Sequence, residues 1–143
     1  ITSRRMKSNT ILKRLTALFT LIAAATMVAM AVENKPMIQF ADKQHDFGNI
    51  QEAKGPVTCE FEFTNIGNAP LVIVSATASC GCTRPQYPVE PVKPGKKGKV
   101  KVTYNPKHRP GEFDKVVKLR TNAKNGKKVN LRIKGVVIPE NSK

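Results

Sequence analysis

From Met37 onward, apolar and polar residues alternate with period two in runs bounded by Gly, Pro and Asn, and no helical period is sustained. Val57, Cys59, Phe61 and Phe63 alternate with Thr58, Glu60, Glu62 and Thr64, which predicts a strand with one apolar face and one wet face. Val100, Val102 and Tyr104 alternate in the same way with Lys99, Lys101 and Thr103, and Val117, Leu119 and Thr121 with Val116, Lys118 and Arg120. The last such run sets Val129, Leu131, Ile133, Gly135 and Val137 against Lys128, Asn130, Arg132, Lys134 and Val136. Leu71 to Ala76 is apolar apart from Ser75 and predicts an inner strand. With Met37 to Ala41 and a short piece from Asp46 to Ile50, the total is about seven strands, the number of an immunoglobulin-like β-sandwich. That all-β architecture suits the pattern because each strand buries one face against the opposite sheet. Asn65 to Pro70, Pro94-Gly95 and Pro110-Gly111 have turn chemistry, and Asn122 to Lys127, with Asn125-Gly126 inside it, has hairpin-loop composition.

The first 31 residues break this pattern. Arg4, Arg5, Lys7, Lys13 and Arg14 precede an apolar stretch from Leu15 to Ala31, acidic residues are absent, and Ala29-Met30-Ala31 fits a peptidase site. Residues 1–31 therefore read as a signal peptide cleaved after Ala31, with 1–5 an upstream extension before Met6. Residues 32–36 read as a linker, 37–138 as the sandwich and 139–143 as a flexible tail. An uncleaved anchor is the alternative, since Leu15 to Val32 approaches the shortest length that spans a bilayer. Three threonines and the small-residue exit weigh against it. The expected location is periplasmic, or secreted to the cell surface, with no membrane span left after cleavage.

Composition narrows the function. The chain of 143 residues carries 25 Lys and Arg against 10 Asp and Glu, for a net charge of +15, and is sized for one core-bearing domain. Its three Cys are too few for a disulfide-dense scaffold, and its two His leave little for a metal cage or imidazole catalysis. No histidine stands beside a nucleophile, no paired-carboxylate motif occurs, and no Gly-rich phosphate loop is present. The expectation is a non-enzymatic protein, with thiol oxidoreduction the one catalytic class left open.

Charge is unevenly spread: residues 84–143 hold 17 basic and 4 acidic side chains, residues 32–83 hold 3 and 6. Lys99, Lys101, Lys118, Arg120, Lys128, Arg132 and Lys134 occupy the non-core phase of three late strands, a candidate face for anionic polysaccharide or lipopolysaccharide. The plainer reading is a solvated face that keeps the domain soluble. Nucleic acid is not an expected partner, because the chain is exported and aromatics do not interleave with these cations.

The most distinctive chemistry is Ser79-Cys80-Gly81-Cys82-Thr83. Cys80 and Cys82 are the candidate thiol or metal site, with three options: a small disulfide ring, a Cu(I) ion between two thiolates, or a bridge from one of them to Cys59. No cofactor is otherwise expected. A one-residue spacer is expected to hold the Cα atoms of a Cys80–Cys82 ring closer than the usual ~5.5 Å. Zinc would need His45 and His108 to converge on the same thiols, and their spacing does not suggest it. Cys59, in phase with Phe61 and Phe63, reads as a buried apolar residue.

His45-Asp46-Phe47-Gly48-Asn49-Ile50, Phe61-Glu62-Phe63-Thr64-Asn65-Ile66-Gly67, Ser79-Cys80-Gly81-Cys82-Thr83, Pro94-Gly95 and Ile133-Lys134-Gly135-Val136 occur in that order. Together they resemble domain-of-unknown-function family 1573, a family of secreted bacterial proteins typical of Gram-negative Bacteroidetes. The resemblance runs from Met37 to Val137 and implies a sandwich similar to the Hydin and major-sperm-protein branch of immunoglobulin-like folds, with no reaction to carry over. The leading expectation is an exported binding or assembly module of the bacterial envelope that meets another protein by strand-edge or loop contacts. A thiol-redox or Cu(I)-binding protein and a basic adhesive module are the alternatives.

Overall fold

A computed structural model of the chain describes residues 31–140. The signal segment, its upstream extension and the last tail residues lie outside them. Among the described residues the elements are β1 (Ile38–Phe40), β2 (Gln44–Gln51), a 3-10 turn (Glu52–Lys54), β3 (Val57–Asn65), β4 (Ile73–Ala78), β5 (Thr83–Gln86), β6 (Lys97–Tyr104), β7 (Gly111–Thr121) and β8 (Lys128–Ile138). They form two four-stranded sheets, ordered β1-β3-β6-β5 and β2-β8-β7-β4. This is an all-β, immunoglobulin-like sandwich.

The alternating runs bury the residues their phase assigns. Cys59, Phe61 and Phe63 from β3 and Val100, Val102 and Tyr104 from β6 meet Val117 and Leu119 from β7 and Leu131, Ile133 and Val137 from β8 in one core. Tyr104 and Phe113 stack across the layers with ring centroids 4.0 Å apart, and Phe40 tilts against Phe63 at 5.5 Å. The Asn122 to Lys127 loop does join β7 to β8, and Asn125 adds a tie to the opposite sheet. Its Oδ1 accepts from Ile38 N and its Nδ2 donates to Ile38 O, both at 2.9 Å.

In three details the strands and their flanks differ from the sequence pattern. Eight strands are present among the described residues, one beyond the seven runs read from the sequence, because Thr83–Gln86 pairs with β6 although Pro85 brings no N–H to the ladder. The apolar run from Leu71 makes an edge strand rather than an inner one. A bulge between Ile73 and Ser75 turns Val74 outward, while Leu71 and Ile73 stay in the core. Within the expected linker, Lys35 N donates to Asn68 Oδ1 at 2.7 Å and Pro36 O accepts from Lys124 N at 2.9 Å, so its second half is held on the fold. Among the described residues no helix is long and apolar enough to cross a membrane.

Candidate functional site

The chain leaves one sheet at the end of β4 and enters the other at β5, and the Cys-Gly-Cys segment makes that corner. Thr83 N donates to Cys80 O at 3.3 Å, closing a tight turn, and Asn105 N donates to Cys82 O at 2.8 Å. A disulfide joins Cys80 to Cys82 with Cα atoms 5.3 Å apart. The single intervening glycine thus holds the Cα atoms slightly inside the usual ~5.5 Å, still within the ordinary range for a disulfide. Cys82 belongs to the core, 4% exposed, and Cys80 is half-buried against it. Joined sulfurs are not thiolates, so this state is not that of a Cu(I) ligand pair.

Cys59 is a free thiol buried on the inner face of β3. Burial pushes it from an ordinary 9.0 up to about 11. The folded protein therefore holds this proton where the unfolded chain has lost it. Stability from this group is complete below pH 9 and declines as pH rises through about 11. Denaturant titrations at pH 8, 9, 10 and 11 are expected to show a smaller decline for Cys59→Ala than for the native chain; equal declines would assign the effect to other groups.

The histidines do not join this site. His45 lies near the start of β2, packed edge-on to Phe47 at 4.5 Å. His108 N donates to Glu52 Oε1, just past the other end of β2. At about 3.3 Å per strand residue, roughly 20 Å separates the two. Among the described residues no cluster of three or more His, Cys, Asp or Glu could hold a metal ion.

The seven basic candidates do not form one face. Lys99 and Lys101 point outward from β6, whereas Lys118, Arg120, Lys128, Arg132 and Lys134 point outward from β7 and β8 in the opposite sheet. Alternation distinguishes inside from outside but not one sheet's outer face from the other's. On β6 the cations are matched by β3, diagonally from Lys99 to Glu60 at 2.7 Å and from Lys97 to Glu62 at 2.8 Å, and directly across from Lys101 to Glu60 at 3.7 Å. Hydrogen bonds from Lys99 and Lys97 hold Glu60 and Glu62 below the usual carboxylate range. On the other face Arg132 meets Asp114 at 2.7 Å and Lys134 meets Asp46 at 3.5 Å. Arg120 and Lys128 are direct cross-strand neighbours, with Lys118 two residues away.

The Asp46-Phe47-Gly48 and Lys134-Gly135 motifs come together in the parallel β2·β8 pair, at a bulge between Asp46 and Asn49. Asp46 Oδ1 accepts from Gly48 N at 2.8 Å, the main reason its carboxyl lies below the ordinary range, with Lys134 adding to it. A Cβ on Gly135 would sit 2.8 Å from Gly48 O and 2.8 Å from the Phe113 ring. Gly135 thus serves close packing, whereas Gly48, with open space around it, serves the left-handed backbone of the bulge at φ 63°.

The four sheet edges are poor templates for a further strand. β1 has three residues, β5 contains Pro85, and β2 and β4 are bulged. The loop between β5 and β6 is a different matter. Tyr87 and Val92 pack against the core on either side of Val89, which is 87% exposed. Leu71 and Val92 exchange backbone hydrogen bonds of 2.9 and 2.8 Å, and Asn65 Nδ2 donates to Val92 O at 2.9 Å. Pro88, Pro91 and Pro94 stiffen what remains. Strand patterning did not single out this loop, although its proline spacing was visible in the sequence.

The profile of a family described as Protein of unknown function (DUF1573) matches residues 38–137. No curated protein matches the chain. Among solved structures, a protein of unknown function from Porphyromonas gingivalis W83 superposes with a TM-score of 0.64 at 14% identity, over 78% of this chain and 51% of that one. The ASH/PapD-like domain 7 of human CEP192 gives 0.54 at 12% identity, over 73% and 87%. The secreted serine protease VesC of Vibrio cholerae gives 0.53 at 14% identity, over 71% and 23%. The chain thus spans about half of the Porphyromonas protein and under a quarter of VesC, and at these identities the likeness is one of fold.

Proposed function

The chain belongs to the DUF1573 family of proteins of unknown function, and from that premise we propose that it is an exported, non-enzymatic binding or assembly module of the bacterial cell envelope. Its protein partner docks on the loop from Tyr87 to Val92. The observation that carries this reading is Val89, a large apolar side chain held far into solvent by a segment with both ends in the core. A loop prepared in this way loses little entropy on binding, which is how a short contact becomes a specific one. The immunoglobulin-like fold of this family is compatible with such a role. Export is supported by the basic and then apolar residues 1–31 and by an oxidised cysteine pair. The non-enzymatic reading rests on the residue inventory, with two His and no paired-carboxylate motif.

A photo-crosslinking residue at position 89, activated in intact cells, is expected to give one discrete adduct in the envelope fraction. Val89→Asp is expected to weaken that association at least about tenfold, the size of a central contact. Adducts at position 118 with none at 89 would move the interface to the outer face of β7 and β8 and sink the loop reading.

A further inference from the structure

Thr83 is the feature that neither the fold nor the loop accounts for. It is 3% exposed, and the acceptors for its hydroxyl among the described residues are two sulfurs: Oγ1 stands 3.7 Å from Cys80 Sγ and 3.7 Å from Cys82 Sγ. A disulfide sulfur carries no proton, so the hydroxyl is the donor in both contacts, and it donates to weak acceptors. Burying a hydroxyl on such terms costs free energy that a valine of the same shape would avoid, and valine favours strands. The arrangement becomes favourable when either sulfur acquires negative charge, because a charge-assisted hydrogen bond is about twice as strong.

The corner is also built to persist through bond opening. Thr83 pairs with Tyr104 in the β5·β6 ladder, and Asn105 N holds Cys82 O, so neither position depends on the disulfide. The ring closes so short a loop that opening it releases little chain entropy. Cys80 is half-buried and Cys82 is 4% exposed, so an incoming sulfur meets Cys80 first. Exposed Arg84 lines a pocket of about 170 Å³ together with Gly81 and Cys82, which places a cation on the Cys82 side of the bridge, where the leaving sulfur gathers charge. Cys59 shows what the same core does to a thiol without a hydroxyl donor: burial pushes it up to about 11.

We propose that the Cys80–Cys82 bridge is a thiol–disulfide exchange site for a dithiol, with Cys80 Sγ the atom attacked, Cys82 Sγ the leaving sulfur and the Thr83 hydroxyl the donor that receives its charge. One thiolate of the dithiol attacks Cys80 Sγ; a mixed disulfide forms, the Cys80–Cys82 bond breaks, and the electron pair leaves on Cys82 Sγ. Cys82 takes the hydrogen bond from Thr83 and then a proton from solvent. The second thiolate of the dithiol attacks its own partner sulfur in the mixed disulfide, releasing Cys80 as a thiolate that is protonated in turn. The dithiol ends as a disulfide, and its two electrons reside in the reduced Cys80/Cys82 pair. Thr83 is a positioning residue. The balance closes once per chain and holds whether or not Val89 is a docking point.

The test follows bridge opening in the intact, oxidised protein with dithiothreitol, by acid quench, alkylation and peptide mass. The native rate is expected to be independent of urea below the unfolding transition. Thr83→Val is expected to open about tenfold more slowly, the loss of one hydrogen bond to a developing thiolate, and Thr83→Ser to stay within about twofold of native. Thr83→Ala carries the same expectation as valine if valine prevents folding. An acid-trapped adduct with 2-mercaptoethanol is expected on Cys80. Opening that rises with urea in step with global unfolding would make the bridge a structural clip and overturn the proposal. So would an unchanged rate in the folded Val or Ala variant, or an adduct on Cys82.

Discussion

Replacing Asn65 with alanine is expected to lower the stability of the fold by about 3 kcal/mol, a loss set by the buried polar groups it strands. Asn65 ends β3 with 0% exposure, and its amide satisfies three separate segments. Nδ2 donates to Ala69 O at 2.7 Å and to Val92 O at 2.9 Å, while Oδ1 accepts from Gly67 N at 3.0 Å and Met37 N at 3.5 Å. Its backbone adds two more ties, accepting from Gly95 N at 2.8 Å and donating to Lys96 O at 2.9 Å. Alanine keeps the backbone pair and abandons the rest. Asn65→Asp should be at least as harmful, because a carboxylate oxygen would face the Ala69 and Val92 carbonyls where the amide now donates. The measurement is the urea midpoint at unchanged slope, with hydrogen exchange at Val92 N as the local readout. A variant within about 0.5 kcal/mol of native, the range of an ordinary surface change, would show that water replaces the amide without penalty.

The same residue shows where sequence reading stops. Asn65 to Pro70 was legible as a turn because Asn, Gly and Pro favour its backbone angles, a local property. That the Asn65 side chain also ties down residues 92–96 is non-local, and no spacing rule announces it. β3, β6, β7 and β8 were legible for the opposite reason: each faces the core on one side and water on the other, so burial is written into alternate residues. β4 misled because an apolar run describes an inner strand and a bulged edge strand equally well, and Val74 is apolar though exposed. β5 was hidden because its pairing is supplied by β6, against its own composition.

The candidate site divides in the same way. The two cysteines stood out by spacing, and the phase of Cys59 indicated its burial. Thr83 was visible only as the last letter of a motif, since its closeness to both sulfurs depends on the corner between sheets. The basic residues were correctly placed outside the core, but the pairings of Glu60, Glu62, Asp114 and Asp46 that divide them depend on strand order. Strand order is a tertiary fact, and the parallel pairing of β2 with β8 has no local signal at all.

Gly98→Val is expected to destabilise the sandwich by about 3 kcal/mol, although valine is the better strand former. Gly98 lies on the inner face of β6 directly opposite Phe63, and the Phe63 ring covers it. A Cβ at this position would run into Phe63 Cζ and stand 2.9 and 3.0 Å from Cε1 and Cε2. The ring has little room to yield, being 0% exposed and packed against Phe40. Interior density turns that overlap into displaced side chains rather than compression. Propensity and packing therefore predict opposite signs for one substitution. Phe63→Ala alone should cost about 3–5 kcal/mol as a cavity, yet the double variant Gly98→Val/Phe63→Ala should cost clearly less than the two added together, since the valine methyls enter the space the ring vacates. Thermal or urea unfolding of the four proteins in this cycle measures the coupling. A neutral or stabilising Gly98→Val, or strict additivity in the double variant, would mean that the contact between ring and glycine does not limit this core.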